Sequence, residues 1–153
     1  MTQQAAAAGE RRAVARCAFC PTLNRIDLTK LSKGPKCANC HRPMLLDRPV
    51  KATESDFDQV LQGTTVPVLV DFYADWCGPC HRMAPVLDDV AKRLAGEALV
   101  LKLDTDASPS IAGRYAIRGI PTLIVFDRGQ ERARHVGMAD LRTLETLVGL
   151  PGG

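Results

Sequence analysis

At 153 residues, 46% apolar and 24% charged, the chain has room for one ordinary domain and a small second unit. A net charge of +3 is too small to argue for a nucleic-acid partner, and no apolar run reaches the length that crosses a bilayer. Six cysteines without a secretory-type apolar leader point to a reducing compartment, where Cys pairs bind metal or carry electrons. The expected location is cytoplasmic.

The charge is unevenly spread. Residues 1–50 carry nine Lys/Arg against Glu10, Asp27 and Asp47, which leaves the remainder at −3. This step near residue 50 suggests two separately built units. Residues 1–16, rich in Gln, Ala and Arg without a period, read as a disordered tail. Residues 17–48 form a small cysteine-bearing unit and 49–153 a larger one.

In the small unit, Cys17-x-x-Cys20 and Cys37-x-x-Cys40 are separated by sixteen residues. This is the spacing of a four-cysteine zinc site, each pair gripping one edge of a tetrahedron. Phe19, Leu23, Ile26, Leu28 and Leu31 are too few to fold the segment alone, so one zinc ion would supply that free energy. Two further redox or disulfide pairs are the alternative. Cys37-x-x-Cys40-His41 and Cys77-x-x-Cys80-His81 also spell haem attachment sequences; attachment normally follows export, so no haem is expected. His41 is placed beside the metal or in solvent.

Residues 44–49 read as a linker. A short strand over 51–54 precedes a helix through Phe57, Val60 and Leu61, capped by Thr53 or Ser55. The run 66–73 is short, β-branched and nearly uncharged, so it reads as a buried strand. It leads into Trp76-Cys77-Gly78-Pro79-Cys80. Apolar residues then fall at Met83, Val86, Leu87, Val90, Ala91 and Leu94, the stripe of an amphipathic helix containing Pro85. Cys77 therefore sits at a strand-to-helix turn and Cys80 in the first helical turn. Unpaired N–H groups and the helix dipole favour a thiolate at Cys77. Exposed there, Cys77 attacks a disulfide sulfur, and Cys80, one turn on, resolves the mixed disulfide.

A buried strand over 98–104 follows, then a short helix opened by Ser108 or Ser110 and ending at Tyr115. Another strand covers 121–126, a hairpin turn 127–130 and a weak, charged strand 131–137. Asp140 caps a last helix with Leu141, Leu144, Leu147 and Val148 on one face. The order βαβαβαββα predicts an α/β fold with a mixed sheet and helices on both sides. Asp71 is the only charge in its apolar strand. It reads either as a buried carboxyl tuned for general-base work on Cys80 or as a strand-end residue reaching solvent.

Val70-Asp71-Phe72, Trp76-Cys77-Gly78-Pro79-Cys80 and Gly119-Ile120-Pro121-Thr122 resemble the thioredoxin family over residues 50–149. With the cysteine pairs in front, the chain resembles the variety that carries a zinc ribbon. The resemblance implies the thioredoxin fold and protein-disulfide reduction, with Asp71 as general base and Pro121 cis and facing the cysteines. It implies that Ile120 pairs strand-to-strand with a client peptide, and that Trp76, Gly78, Pro79 and the loop at Gly137 form a shallow docking surface. Trp76 as plain core packing is the alternative. Electrons would come from NADPH through a thioredoxin reductase, with no nucleotide bound directly, and the protein would act as a monomer on disulfide-containing clients.

Two positions depart from the family pattern: Tyr73, where Trp is common, and His81, where Lys or Arg is more usual. His81 is expected to make the reactivity of Cys77 vary with pH. Lys102 either modulates Asp71 or snorkels to the surface. Three other functions use the same residues. The pair can run in reverse as an oxidase or isomerase, the basic ribbon can bind nucleic acid or an acidic partner, or the zinc thiolates can act as a redox sensor. Nucleic acid is the least favoured, because no aromatic stripe accompanies the basic residues.

Overall fold

A computed structural model describes residues 10–149. The expected disordered tail is corrected at its end, because Arg12–Arg16 is strand β1; residues 1–9 lie outside the described residues. Strand β1 pairs antiparallel with β2, Leu23–Asp27. Its alternation buries Ala13 and Ala15 and leaves Arg12, Val14 and Arg16 half-buried on the other face. A 3₁₀ segment, Leu28–Lys33, follows, with the Asp27 side chain accepting from Thr29 N.

The larger unit opens with β3, Val50–Lys51, and α1, Phe57–Gly63. Then come β4 (Val68–Tyr73), α2 (Gly78–Arg93), β5 (Leu99–Asp104) and α3 (Pro109–Arg114). The hairpin of β6 (Thr122–Asp127) and β7 (Gln130–Val136) and the helix α4 (Leu141–Val148) complete it. From β3 onward the order matches the expectation. The five strands lie in the order β3-β5-β4-β6-β7. Strand β4 runs parallel to β5 and antiparallel to β6, which makes the sheet mixed.

Strand β4 is buried on both faces, and its pleat divides the core. Val68, Val70 and Phe72 share a cluster with Phe57, Val60 and Leu61 of α1 and Ile111 of α3. Leu69 points the other way, to Met83, Leu87 and Val90 of α2 and Leu144 and Val148 of α4. The β6–β7 turn sets Arg128 (φ 52°) and Gly129 (φ 83°) both in the left-handed region, as a two-residue hairpin requires. Asp140 caps α4 as expected, its Oδ1 accepting from Thr143 N at 2.8 Å.

The α1 cap is different. Neither Thr53 nor Ser55 fills it; Asp56 stands at the N-cap and makes no side-chain bond into the helix. Its carboxylate is engaged elsewhere, accepting from Thr53 N at 2.7 Å and from Arg16 Nη1 at 3.1 Å. The bond to Arg16 belongs to a seam between β1 and the α1 region. Arg12 N donates to Thr65 Oγ1 at 2.8 Å, Val14 N to Thr64 Oγ1 at 3.0 Å, and Thr65 N to Arg12 O at 2.9 Å. Ala13, Ala15, Ile26, Leu28, Met44 and Leu46 belong to the same core cluster as α1, so the cysteine-bearing segment and the sheet share one interior.

Gly63 marks how close the seam is, since a Cβ there would overlap Val14 Cγ2. Gly63→Ala is expected to lower stability by about 1–3 kcal/mol, the usual cost of overpacking. A urea midpoint that falls at unchanged slope checks this.

Candidate redox and metal sites

The redox site grows from the end of β4. A turn closed by Cys77 N donating to Ala74 O at 3.1 Å carries Asp75 and Trp76. Cys77 is the N-cap of α2 and Pro79 lies in its first turn, where a missing N–H costs nothing. Cys77 Sγ accepts from Cys80 N at 3.1 Å, so the sulfur takes the place of a capping oxygen on one of the helix's free N–H groups. Cys77 and Cys80 form a disulfide with Cα atoms 5.3 Å apart.

The expected exposure of Cys77 is corrected: in this oxidised state it is 3% exposed and Cys80 6%. Two neighbours cover it: Cys77 Sγ is turned toward Cys80 and lies 3.8 Å from the carbonyl oxygen of Ile120, on a distant loop. Trp76, by contrast, is 71% exposed, which removes the core-packing alternative. The Ile120–Pro121 peptide is cis. Pro121 is buried and its carbonyl accepts from Gly137 N at 2.8 Å, which ties the Gly137 loop to the cis-proline. Val136 and Met138, on either side of Gly137, are exposed. Val136 is the register partner of Thr122, so it sets apolar surface beside the cis-proline. The sequence reading misses both Val136 and Met138, although two apolar residues ending a charged strand are a visible signal.

Asp71 is 2% exposed, so the strand-end alternative falls. Among the described residues its Oδ1 has no hydrogen-bond partner. Burial pushes its pKa up to about 7, and the charge of Lys102 opposes this in part. Lys102 is its register partner on β5, with Nζ 4.6 Å from the centroid of the Tyr73 ring. The cation therefore lies along an aromatic face beside the acid.

The four N-terminal cysteines converge, their Sγ atoms all within 4.8 Å of one another. Cys17 and Cys40 sulfurs are 3.6 Å apart, and those of Cys20 and Cys37 3.7 Å. A tetrahedral zinc–thiolate site with bonds of about 2.3 Å has edges of about 3.8 Å, so the spacing fits such an ion. Outer bonds hold the sulfurs. Phe19 N donates to Cys17 Sγ, and Asn39 N and Asn24 Nδ2 donate to Cys37 Sγ, each at 3.4 Å. Bonds from Thr22, with a further one from Asn39, lower the Cys20 thiol to about 6. The Arg42 backbone favours the Cys40 thiolate, but burial and the three neighbouring sulfurs push that thiol up to about 11. Four thiols this close cannot all ionise without a cation among them. His41 is exposed, at φ 66°, and its N–H donates to Cys37 O.

No helix among the described residues is long and apolar enough to cross a membrane. The thioredoxin family model matches residues 48–149. Thioredoxin C-3 of Corynebacterium nephridii is 39% identical over 129 residues, covering 84% of this chain and 87% of its own. That match extends well into the segment before residue 48. Thioredoxin 1 of a Nostoc species is 46% identical over 98 residues, 64% of this chain and 92% of that one. A mutant thioredoxin from Halobacterium salinarum superposes with a TM-score of 0.62 at 36% identity, over 67% of this chain and 89% of that one. The chain belongs to the thioredoxin family and is a thiol–disulfide oxidoreductase.

Proposed function

We propose that the chain is a general protein-disulfide reductase, recharged by an NADPH-dependent thioredoxin reductase and acting in the cytoplasm on disulfide-containing clients. The observation that carries this reading is the sulfur of Cys77 at the N-cap of α2, accepting the Cys80 N–H. In the reduced protein the same donors stabilise a thiolate.

The Cys77 thiolate attacks one client sulfur. The client S–S bond breaks, a Cys77–client disulfide forms, and the departing client sulfur takes a proton. Asp71, buried and titrating near neutrality, accepts the proton of Cys80. The Cys80 thiolate then attacks Cys77 Sγ, the Cys77–client bond breaks as the Cys77–Cys80 bond forms, and the second client sulfur leaves as a thiolate that takes a proton from water. Two electrons have passed to the client. Ile120 offers backbone to an extended client, while Trp76, Gly78, Pro79 and Gly137 line its path.

Cys17, Cys20, Cys37 and Cys40 are assigned one zinc ion, which when bound clamps the ribbon through four thiolates. A structural role is favoured because the ribbon shares the interior of the α1 face, and a cytoplasmic setting is one in which such thiols stay reduced.

The test is reduction of insulin by NADPH and thioredoxin reductase. Cys77→Ser should lose all turnover, and a Cys17→Ser, Cys20→Ser double variant should keep most of it. Cys80→Ser should accumulate client mixed disulfides. Full turnover in Cys77→Ser would end the reading, and loss confined to the ribbon variant would move the functional centre there.

A further inference from the structure

Trp76 is the chain's only tryptophan, and with most of its surface in water it is not held by packing. Hydrogen bonds from two sides hold it instead. Its Nε1–H donates to Asp106 Oδ2 at 2.8 Å. The carbonyl of the preceding residue, Asp75, lies 2.6 Å from His81 Nε2. A carbonyl only accepts, so Nε2 carries the proton whatever the charge of the ring. The turn's own closing bond uses Ala74 O, which leaves Asp75 O free for this contact.

Both anchors are themselves fixed. His81 follows Cys80 directly in α2, and its backbone N donates to Cys77 O at 3.2 Å, so its ring is referenced to the redox pair. On the other side Asp106 N donates to Asp104 Oδ1 at 2.9 Å, and Thr105 N to Tyr73 O at 2.8 Å. The exposed indole is thus located from α2 and from the loop after β5.

We propose that His81 is a positioning residue for client docking. It latches the Asp75–Trp76 turn to the first turn of α2, so that Trp76 stands as a fixed wall beside Cys77. The inference rests on the reading of Trp76 as a docking residue. It gives His81 a mechanical role, because the ring expected to act on Cys77 through charge is engaged by a backbone carbonyl. An exposed aromatic that wanders must be ordered when each client binds, and this cost falls on capture and not on sulfur exchange.

The test uses insulin reduction with dithiothreitol as electron donor, which bypasses the reductase, together with the fluorescence anisotropy of Trp76. His81→Ala should raise KM for insulin about three- to tenfold with kcat within about twofold, and lower the anisotropy. His81→Gln, which keeps an N–H donor, should recover most of both; Asp106→Ala, which removes the acceptor of the indole N–H, should lower the anisotropy from the other side. Unchanged KM and anisotropy in His81→Ala overturn the proposal, as does a loss in kcat alone. Cys77→Ser is run alongside. If it stays active, the catalytic reading fails; if it is dead while His81→Ala behaves as wild type, only the latch fails.

Discussion

Asp71→Asn is expected to stabilise the protein at pH 8.5 and to lose that advantage on acidification. The folded pKa of Asp71 is about 7 against an ordinary 3.8. Between those values the folded state binds the extra proton, so the unfolding free energy of the wild type falls as pH rises through that window. Above it the charged, buried carboxylate costs about 4 kcal/mol relative to the unfolded chain. An Asn at 71 never ionises, but its own buried amide gives back about 1 kcal/mol. The net gain is about 3 kcal/mol at pH 8.5 and near zero or reversed at pH 4. Urea unfolding at the two pH values measures it, and parallel curves for variant and wild type at both would refute it. The same variant should release clients from the mixed disulfide more slowly, because Cys80 loses its proton acceptor. Stability and chemistry therefore move in opposite directions at this residue.

The second large effect lies at the other end of the chain. Cys37 is 1% exposed, its sulfur accepts from Asn24 Nδ2 and Asn39 N, and it sits in the α1-face core. Cys37→Ser should abolish binding of one zinc per chain and destabilise the protein by more than about 4 kcal/mol, the range of a lost structural metal. A chromophoric chelator should release zinc from the wild type readily only as denaturant opens the fold. Because β1 lies against α1 while α2 packs on the opposite face of the sheet, reductase turnover below the unfolding transition should survive. Metal analysis finding no zinc in wild type, or an unmoved guanidinium midpoint in Cys37→Ser, would count against the assignment.

What was legible in the sequence was whatever local chemistry dictates. The thiol spacing, the helical stripe after Pro79, the hairpin turn at Arg128-Gly129 and the Asp140 cap each depend on residues a few positions apart, and each appears in place. The buried state of Asp71 was undecided from its strand alone, since burial depends on what covers both faces of β4. Strand β1 was illegible for a related reason. Arg-Ala-Val-Ala-Arg has a period of two, but alanine is a faint apolar signal, and the hydroxyls of Thr64 and Thr65 that receive its N–H groups lie some fifty residues on. The state of Asp56 at the α1 N-cap is hidden in the same way, since the Arg16 guanidinium that engages its carboxylate belongs to that strand. The burial of Cys77 is likewise non-local, set by the Ile120 carbonyl.

The seam between β1 and α1 also bears on where this protein begins as a physical object. The family match starts at residue 48, yet the material boundary lies earlier. A chain trimmed to the match would strip Asp56 of its guanidinium, leave the buried Thr64 without its amide, and bare the groove over Gly63 that Val14 fills. Such a fragment would carry every atom of the exchange chemistry and an unfinished, adhesive flank. For handling this molecule, the ribbon is better regarded as cladding than as an appendage.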